Sequence, residues 1–216
     1  MSRLDLSQLD TVILDLGGVL IDVDYGRTAQ AFAALGVQDF DALYAKARQH
    51  QLFDDFERGT LTPADFRQRL RDITGTTLTD AQIDSGWNAM LGTISPAHMV
   101  LVEELRMRYR VFLLSNTNAI HVPAFQTIIR RDFGITDFKQ EFDAAYYSCE
   151  IGLRKPDAAI FQHVMKEQHA LPGRTLFIDD SPQHVEGARA VGLHAEHLDL
   201  AREDLSALVE RLGLLV

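Results

Sequence analysis

The sequence predicts an α/β fold, a parallel sheet whose strands alternate with helices, with a helical segment inserted after the first strand. Three observations carry this. Short apolar runs recur at Val12–Leu16, Val111–Ser115, Ala144–Ser148, Thr175–Ile178 and, more weakly, His194–Leu198, with the lengths and compositions of buried strands. Between most of them lie stretches with apolar residues three or four apart, and strands alternating with helices imply parallel pairing through right-handed crossovers. Between the first and second strands, however, lie roughly ninety residues, far more than one crossover needs.

The first strand runs through Thr11-Val12-Ile13-Leu14 into Asp15, and Gly17 and Gly18 follow at once. The strand is expected to end at Asp15 and give way to a tight turn that glycine permits. An aspartate at the carboxyl end of a parallel strand stands where open α/β sheets bind ligands, although Asp and Gly are also ordinary turn formers.

The long segment that follows, about Tyr25 to Gly92, is helical in pattern. Thr28–Leu35, Phe40–His50, Pro63–Thr74 and Asp80–Met90 each place apolar residues at helical spacing. Thr62 and Pro63 make a good helix start, as N-cap and first-turn residue. Gly36, Gly59, Gly75 and Gly92 punctuate the run. Residues 1–22 and 93–216 are therefore expected to form the α/β core, and residues 23–92 a helical unit over the carboxyl edge of its sheet. Further helices are expected at Ala97–Arg108, Asp157–His169 and Pro182–Val191, the last stopping at Gly192.

Composition narrows the class. Apolar residues make up 46% and charged residues 24% of the 216, values of a soluble globular protein. The net charge of −10 argues against nonspecific binding to nucleic acid or an anionic membrane. It does not forbid a small anionic substrate, because a local cation offsets the global field. With one cysteine, Cys149, no intramolecular disulfide forms, which suits a reducing compartment. Cys149 is expected to be a small buried group near a strand end. The first residues lack the apolar core of a signal peptide, and no run is long enough to span a bilayer. The expectation is a cytoplasmic protein, monomeric or weakly dimeric.

Four polar clusters stand at strand ends or helix starts: Asp15; Ser115-Asn116-Thr117-Asn118; Arg154-Lys155-Pro156; and Asp179-Asp180. Each has a plain account. Ser115 or Asn116 would cap a helix, Lys155 would be solvated, and Asp180 or Ser181 would cap the helix that Pro182 begins. Taken together they make a coherent site. Asp15, Asp179 and Asp180 meeting at adjacent strand ends repel one another and call for a hard divalent cation with oxygen ligands. Ser115, Asn116 and nearby backbone amides would donate to phosphate oxygens, and Lys155 supplies a point charge. Phosphoryl transfer needs mainly positioning and charge stabilisation, and Asp15 would be the nucleophile that carries the phosphoryl group.

In these motifs the chain resembles the haloacid dehalogenase (HAD) superfamily over nearly its whole length. That family's pattern is an aspartate nucleophile after the first strand, Ser or Thr after the second, a Lys-Pro step and an acidic pair, matched here by Asp15, Ser115, Lys155-Pro156 and Asp179-Asp180. The resemblance implies a Rossmann-like core, a helical C1 cap formed by the insert, and a Mg²⁺-dependent phosphatase acting on a small phosphorylated metabolite such as a sugar phosphate. Its metal would be held by Asp15, the Gly17 carbonyl, Asp179 and Asp180, its catalytic groups would be Asp15 and Lys155, and its substrate would meet Ser115, Asn116 and Lys155. Phe56-Glu57-Arg58-Gly59 is similar to a common cap pattern, and Asp15-Leu16-Gly17-Gly18-Val19 looks most like the branch containing bacterial α-glucose-1-phosphate phosphatases.

The chain departs from the pattern at two places. Family phosphatases usually carry a second aspartate two residues after the nucleophile, a general acid worth about 10²–10⁴-fold; here that residue is Gly17. Asp22, Asp24 and His121 are the nearby candidates to replace it, although Asp22 and Asp24 also read as loop or hinge residues of the insert. Many relatives place Asp or Asn four positions after Asp180, where this chain has His184, an outer partner of the metal site. The missing acid leaves two alternatives open: a metal-free 2-haloacid dehalogenase, against which the retained acidic pair argues, and a phospholigand-binding protein of low turnover. A receiver domain of two-component signalling does not fit, because the order of its acidic groups is reversed. Substrate choice is assigned to the insert, where Tyr25, Phe53, Phe56, Arg58 and Trp87 are candidate lining groups; Phe56 and Trp87 fall on apolar helical faces and are expected in its core.

Overall fold

The structure, a computed structural model, describes residues 6–37 and 51–215. Its strands are β1 (Thr11–Leu14), β2 (Ile21–Val23), β3 (Leu91–Ile94), β4 (Arg110–Ser115), β5 (Ala144–Tyr147), β6 (Thr175–Asp179) and β7 (His194–His197). The helices described are α1 (Tyr25–Ala34), α2 (Leu52–Glu57), α3 (Pro63–Thr74), α4 (Asp80–Asn88), α5 (Pro96–Arg106), α6 (His121–Phe133), α7 (Ser148–Ile151), α8 (Ala158–Glu167), α9 (Pro182–Ala190) and α10 (Leu205–Leu212).

Five strands form one parallel sheet in the order β5-β4-β1-β6-β7. Successive side chains on a strand face opposite ways, and the two faces fill separate cores. Val12 and Leu14 join Val111, Leu113, Leu176 and Ile178 beneath α5, α6 and α10. Ile13 joins Phe112, Leu114 and Phe177 beneath α8 and α9. Coverage on both faces explains why the strands read as continuous apolar runs rather than alternating ones. The register sets Leu14 opposite both Leu113 and Ile178, so the carboxyl ends of β1, β4 and β6 lie side by side.

The helices of the insert enclose a third core. Phe32, Phe53, Phe56, Phe66, Leu70, Ile83 and Trp87 are buried together, joined by Ile120 from the loop beyond β4. Pro63–Thr74 folds as expected, with a capping box: Thr62 Oγ accepts from the Asp65 amide at 3.1 Å, and an Asp65 oxygen accepts from the Thr62 amide at 3.3 Å. Losing the cap hydroxyl in Thr62→Ala is expected to cost about 1 kcal/mol, a Tm lower by about 2–4 °C in thermal denaturation; an unchanged Tm would show that the cap does not limit stability. The helix expected at Phe40–His50 lies outside the described residues.

The other expected strands and helices are present with ends shifted by a residue or a few, the ordinary ambiguity of fraying ends; Thr28–Leu35, for instance, begins three residues earlier as α1. Leu16 leaves the first strand because its carbonyl accepts from Leu20 and Ile21 and closes a turn. Several features are new, the short helices α2 and α7 among them. β2 and β3 pair antiparallel where the chain enters and leaves the insert, and they are too short to show a period of two. Helices α6 and α10 complete the packing on one sheet face.

Candidate active site

Asp15 stands one residue beyond β1, its amide still donating to the Ile178 carbonyl at 3.0 Å, so the β1–β6 ladder carries its side chain to the carboxyl edge. Asp179 closes β6 next to it, fully buried, and Asp180 follows. Carboxylate oxygens of Asp15, Asp179 and Asp180 lie within 4.8 Å of one another. Lys155 enters from the loop before α8, completely buried, its Nζ 2.7 Å from Asp15 Oδ1 and 2.6 Å from Asp179 Oδ2. The ammonium also lies 5.3 Å from the centre of the Phe177 ring.

Two glycines permit this closeness. At Gly18 (φ 75°) an added Cβ would fall 2.3 Å from Asp180 Oδ2, so only glycine lets the turn seat that carboxylate. Gly59 (φ 68°) does the same where the end of α2 meets the sheet edge, since a Cβ there would lie 2.2 Å from the Cys149 carbonyl oxygen.

The groups around the carboxylates are held by polar contacts that the sequence did not reveal. The Asn116 side chain accepts from the Lys155 amide and donates to the Lys155 carbonyl, both at 2.9 Å. Its amide group therefore positions the lysine segment. Ser115 is buried at the end of β4. Asn118, rather than Ser115 or Asn116, caps α6, its Oδ1 accepting from the amides of Ile120 and His121. Ser148 was missed: its hydroxyl accepts from the Thr117 amide at 2.9 Å and donates to the Thr117 carbonyl at 3.0 Å. The only sign of it in the sequence is a small polar residue ending an apolar run. His184 places Nδ1 3.0 and 3.1 Å from the two Asp179 oxygens, the contact of an outer partner. The capping proposed for Asp180 or Ser181 is not seen; instead Asp179 Oδ1 accepts from the Ser181 amide.

Electrostatics follow from this packing. Burial pushes the Asp15 carboxyl up to about 7; Lys155 opposes the rise, and Asp179 and Asp180 add to it. Burial raises Asp180 as well, with Asp179 adding. At Asp179 burial also acts upward, but Lys155 and His184 outweigh it and hold the carboxyl below its usual range. Burial tends to lower Lys155, and its two carboxylate partners reverse that and raise it. Three carboxylates against one ammonium leave an excess of negative charge in a poorly solvated place. The donor set is all oxygen, hard and closely spaced, which fits a divalent cation such as magnesium.

The sequence profile of the haloacid dehalogenase-like hydrolases matches residues 9–192. The chain belongs to this family. Among HAD relatives, a D-ribitol-5-phosphate phosphatase of Bacteroides thetaiotaomicron is 30% identical over 189 residues, covering 85% of this chain and 89% of its own length. A HAD family enzyme of the same organism, solved in complex with magnesium and inorganic phosphate, is 33% identical with a TM-score of 0.82, over 93% of this chain and 98% of that one. The L-2-haloacid dehalogenase of Xanthobacter autotrophicus, solved with chloropropionic acid covalently bound, is 19% identical with a TM-score of 0.62, over 95% of this chain and 82% of that one. That last likeness is one of fold alone. The α/β core and parallel sheet are those of the HAD fold.

Of the substitutes considered for the HAD general acid, Asp24 and His121 already have hydrogen-bond partners. Asp24 caps α1 by accepting from the Gly26 amide, and Asp22 lies exposed on β2. Burial lowers His121 to about 4, so at neutral pH it is not a proton donor of the usual imidazolium kind. Of the candidate lining groups, Phe56 stacks on Phe66 at 4.2 Å and Phe53 on Trp87 at 5.1 Å, both inside the helical core. Tyr25 is exposed. Arg58 pairs with Asp157 at 2.5 Å, and the neighbouring Arg154 binds Glu57 at 2.7 Å and Asp54 at 3.0 Å. These pairs tie α2 to the loop that carries Lys155. Cys149 is only half-buried, in α7 just beyond β5, and burial pushes its thiol up to about 11, which leaves it a poor nucleophile. Among the described residues no helix is long and apolar enough to cross a membrane.

Proposed function

We propose that this HAD hydrolase is a magnesium-dependent phosphatase of small phosphorylated metabolites, sugar or polyol phosphates in particular. The observation that carries the reading is the three-carboxylate cluster with the Lys155 ammonium wedged between Asp15 and Asp179. Magnesium, held by Asp15, Asp179, Asp180 and the Gly17 carbonyl, would supply charge neutralisation at the phosphoryl group. Lys155 holds Asp15 Oδ1. An Asp15 oxygen forms the new bond to phosphorus while the bond to the ester oxygen breaks and its electron pair leaves with the alcohol. Water then attacks phosphorus of the aspartyl-phosphate, releasing inorganic phosphate and the free carboxylate. Ser115 and the backbone at Asn116 donate to phosphate oxygens, and Lys155 offsets charge in both steps. With Gly17 in place of the usual acid, the leaving oxygen takes its proton from solvent. Residues 23–92 act as the cap over this site. A reducing, cytoplasmic setting fits the single cysteine, and the net charge of −10 fits a chain that avoids nucleic acid, as monomer or weak dimer.

The test is release of phosphate from p-nitrophenyl phosphate with Mg²⁺ and with EDTA. Magnesium-dependent release is expected; none above an Asp15→Asn control would sink the reading. Gly17 keeps a low-turnover binding protein in view, which would bind a phosphate ester stoichiometrically without multiple turnovers. Chloride release from 2-chloropropionate would instead reveal a dehalogenase.

A pH dependence follows from Asp15. Its pKa near 7 means that a proton competes with the cation below neutrality. The apparent Mg²⁺ affinity is expected to fall as pH drops, by up to about tenfold per unit below pH 7, with a proton released on binding. Calorimetric titrations at pH 6 and pH 8 check this; equal affinities would remove Asp15 from the ligand set.

A further inference from the structure

The end of the sheet away from Asp15 carries an open groove of about 660 Å³, within the size range of small-molecule sites. It lies where β1 and β4 begin: Arg110 stands opposite Thr11 in their register, and Asp10 precedes β1. Five steps of nearly extended chain separate Asp10 from Asp15, about 16 Å. The groove is therefore no part of the carboxylate cluster.

Three arginines line it, Arg106, Arg108 and Arg110, against one carboxylate, Asp10, in a chain whose net charge is −10. That carboxylate is already compensated. Asp10 Oδ2 lies 3.0 Å from Arg174 Nε, and its Oδ1 accepts from the Thr11 hydroxyl at 2.8 Å. Arg110 is fixed by neutral acceptors, donating to the Gln168 carbonyl at 2.8 Å and to Thr11 Oγ1 at 3.1 Å, with its guanidinium 5.4 Å from the centre of the Phe112 ring. Among the described residues it pairs with no carboxylate, so its charge is held in place without being neutralised. Arg106 reaches Asp143 Oδ1 at 3.3 Å and the Glu141 carbonyl at 3.1 Å. Both side chains of that ion pair are about a third exposed, and such a pair is worth little in water. His169 ends α8 with φ 49°, the left-handed conformation that glycine supplies at the ends of α3 and α6. A ring kept where glycine would sit more easily is a local cost of the kind found at binding sites.

We propose that this groove is a second anion site, which takes a small phosphate-bearing molecule by its phosphate oxygens. Arg110 is the fixed donor, Arg106 and Arg108 contribute from the turn after α5, and His169 completes the wall from the end of α8. Guanidinium forks suit phosphate oxygens because they donate two parallel hydrogen bonds. The groove binds without cleaving, since its one carboxylate is engaged by Arg174 and Thr11. It needs neither magnesium nor Asp15, and so stands apart from the phosphatase reading.

Inorganic pyrophosphate is the probe. In EDTA the three carboxylates at the other end of the sheet have no magnesium and repel anions, so calorimetric titration of the full chain then reads the groove. Saturable binding of one equivalent is expected. It should weaken by at least about tenfold when Arg106→Ser and Arg108→Ser are combined, the loss of one charge-assisted hydrogen bond. With Mg²⁺ present, p-nitrophenyl phosphate turnover of that double variant should equal the wild type's. In NMR spectra the backbone amides of Arg108, Arg110 and His169 should shift with pyrophosphate, and those of Asp15 and Asp179 should not. An absence of saturation, an unchanged affinity in the double variant, or shifts confined to Asp15 and Asp179 would each overturn the site. If the double variant fails to fold, the amide shifts of the wild type decide alone. A wild type that binds pyrophosphate but leaves p-nitrophenyl phosphate intact would refute the phosphatase reading and support the groove; the reverse result would remove the groove alone.

Discussion

Asp15→Asn is expected to lower phosphate release by at least about 10³-fold, because the substitution removes the carboxylate proposed to attack phosphorus. The fold should survive it. Lys155 keeps Asp179 at 2.6 Å as an ionic partner, so no buried charge is left alone. The sign of the stability effect follows from the carboxyl itself. Its folded-state pKa of about 7 lies above the ordinary value of 3.8, so the native state binds the proton more tightly than the unfolded chain. The stability this contributes is complete at low pH and is lost as pH rises through about 7. The amide does not ionise, so without magnesium the variant should melt at the same or a higher temperature than the wild type at pH 8, and gain less from added magnesium. Continuous phosphate assay and thermal melts with and without the ion measure both effects. Turnover within tenfold of wild type would show that the attacking group lies elsewhere.

Gly17→Asp is expected to raise turnover of alkyl phosphates by about 10- to 100-fold, and of aryl phosphates by much less. A positioned acid is worth about 10²–10⁴-fold for a leaving group that needs a proton; an aryl oxygen departs readily without one. The site has room. A Cβ at Gly17 would meet only Val23 Cγ2, at 3.3 Å, so one partly buried methyl must give by a few tenths of an ångström, and the backbone needs no left-handed conformation. The carbonyl proposed to face the metal is retained. The new carboxylate adds a charge to an already negative cluster, so the magnesium requirement should rise alongside. Comparing kcat for glycerol phosphate and p-nitrophenyl phosphate in both proteins makes the test. Equal or reduced rates on both would mean that proton donation does not limit this enzyme.

Much of the site could be read before folding. Asp15, Lys155, Asp179 and Asp180 announce themselves because a charged residue ending an apolar run is conspicuous, and four such clusters in one order form a pattern. Their polar supports do not. Asn116 reads as a phosphate donor, yet its side chain spans both backbone groups of Lys155, 39 residues away. Arg154 reads as a neighbour of the important lysine, yet it anchors α2 through Glu57 and Asp54. His184 reads as a departure from the family pattern, and it proves to contact Asp179 directly. The β2–β3 pair escaped notice because its strands of 3 and 4 residues carry no usable period.

By itself the sequence determined what local chemistry can write: where apolar runs stop, which carboxylates stand at their ends, the helical period of the insert, and the absence of an acid at position 17. Only the tertiary structure decided which oxygen Lys155 holds, and that Arg110 and His169 line one groove. The reason is that strand order, register and packing bring together groups tens of residues apart, and hydrogen-bond partnership depends on distances of a few tenths of an ångström that no spacing along the chain encodes.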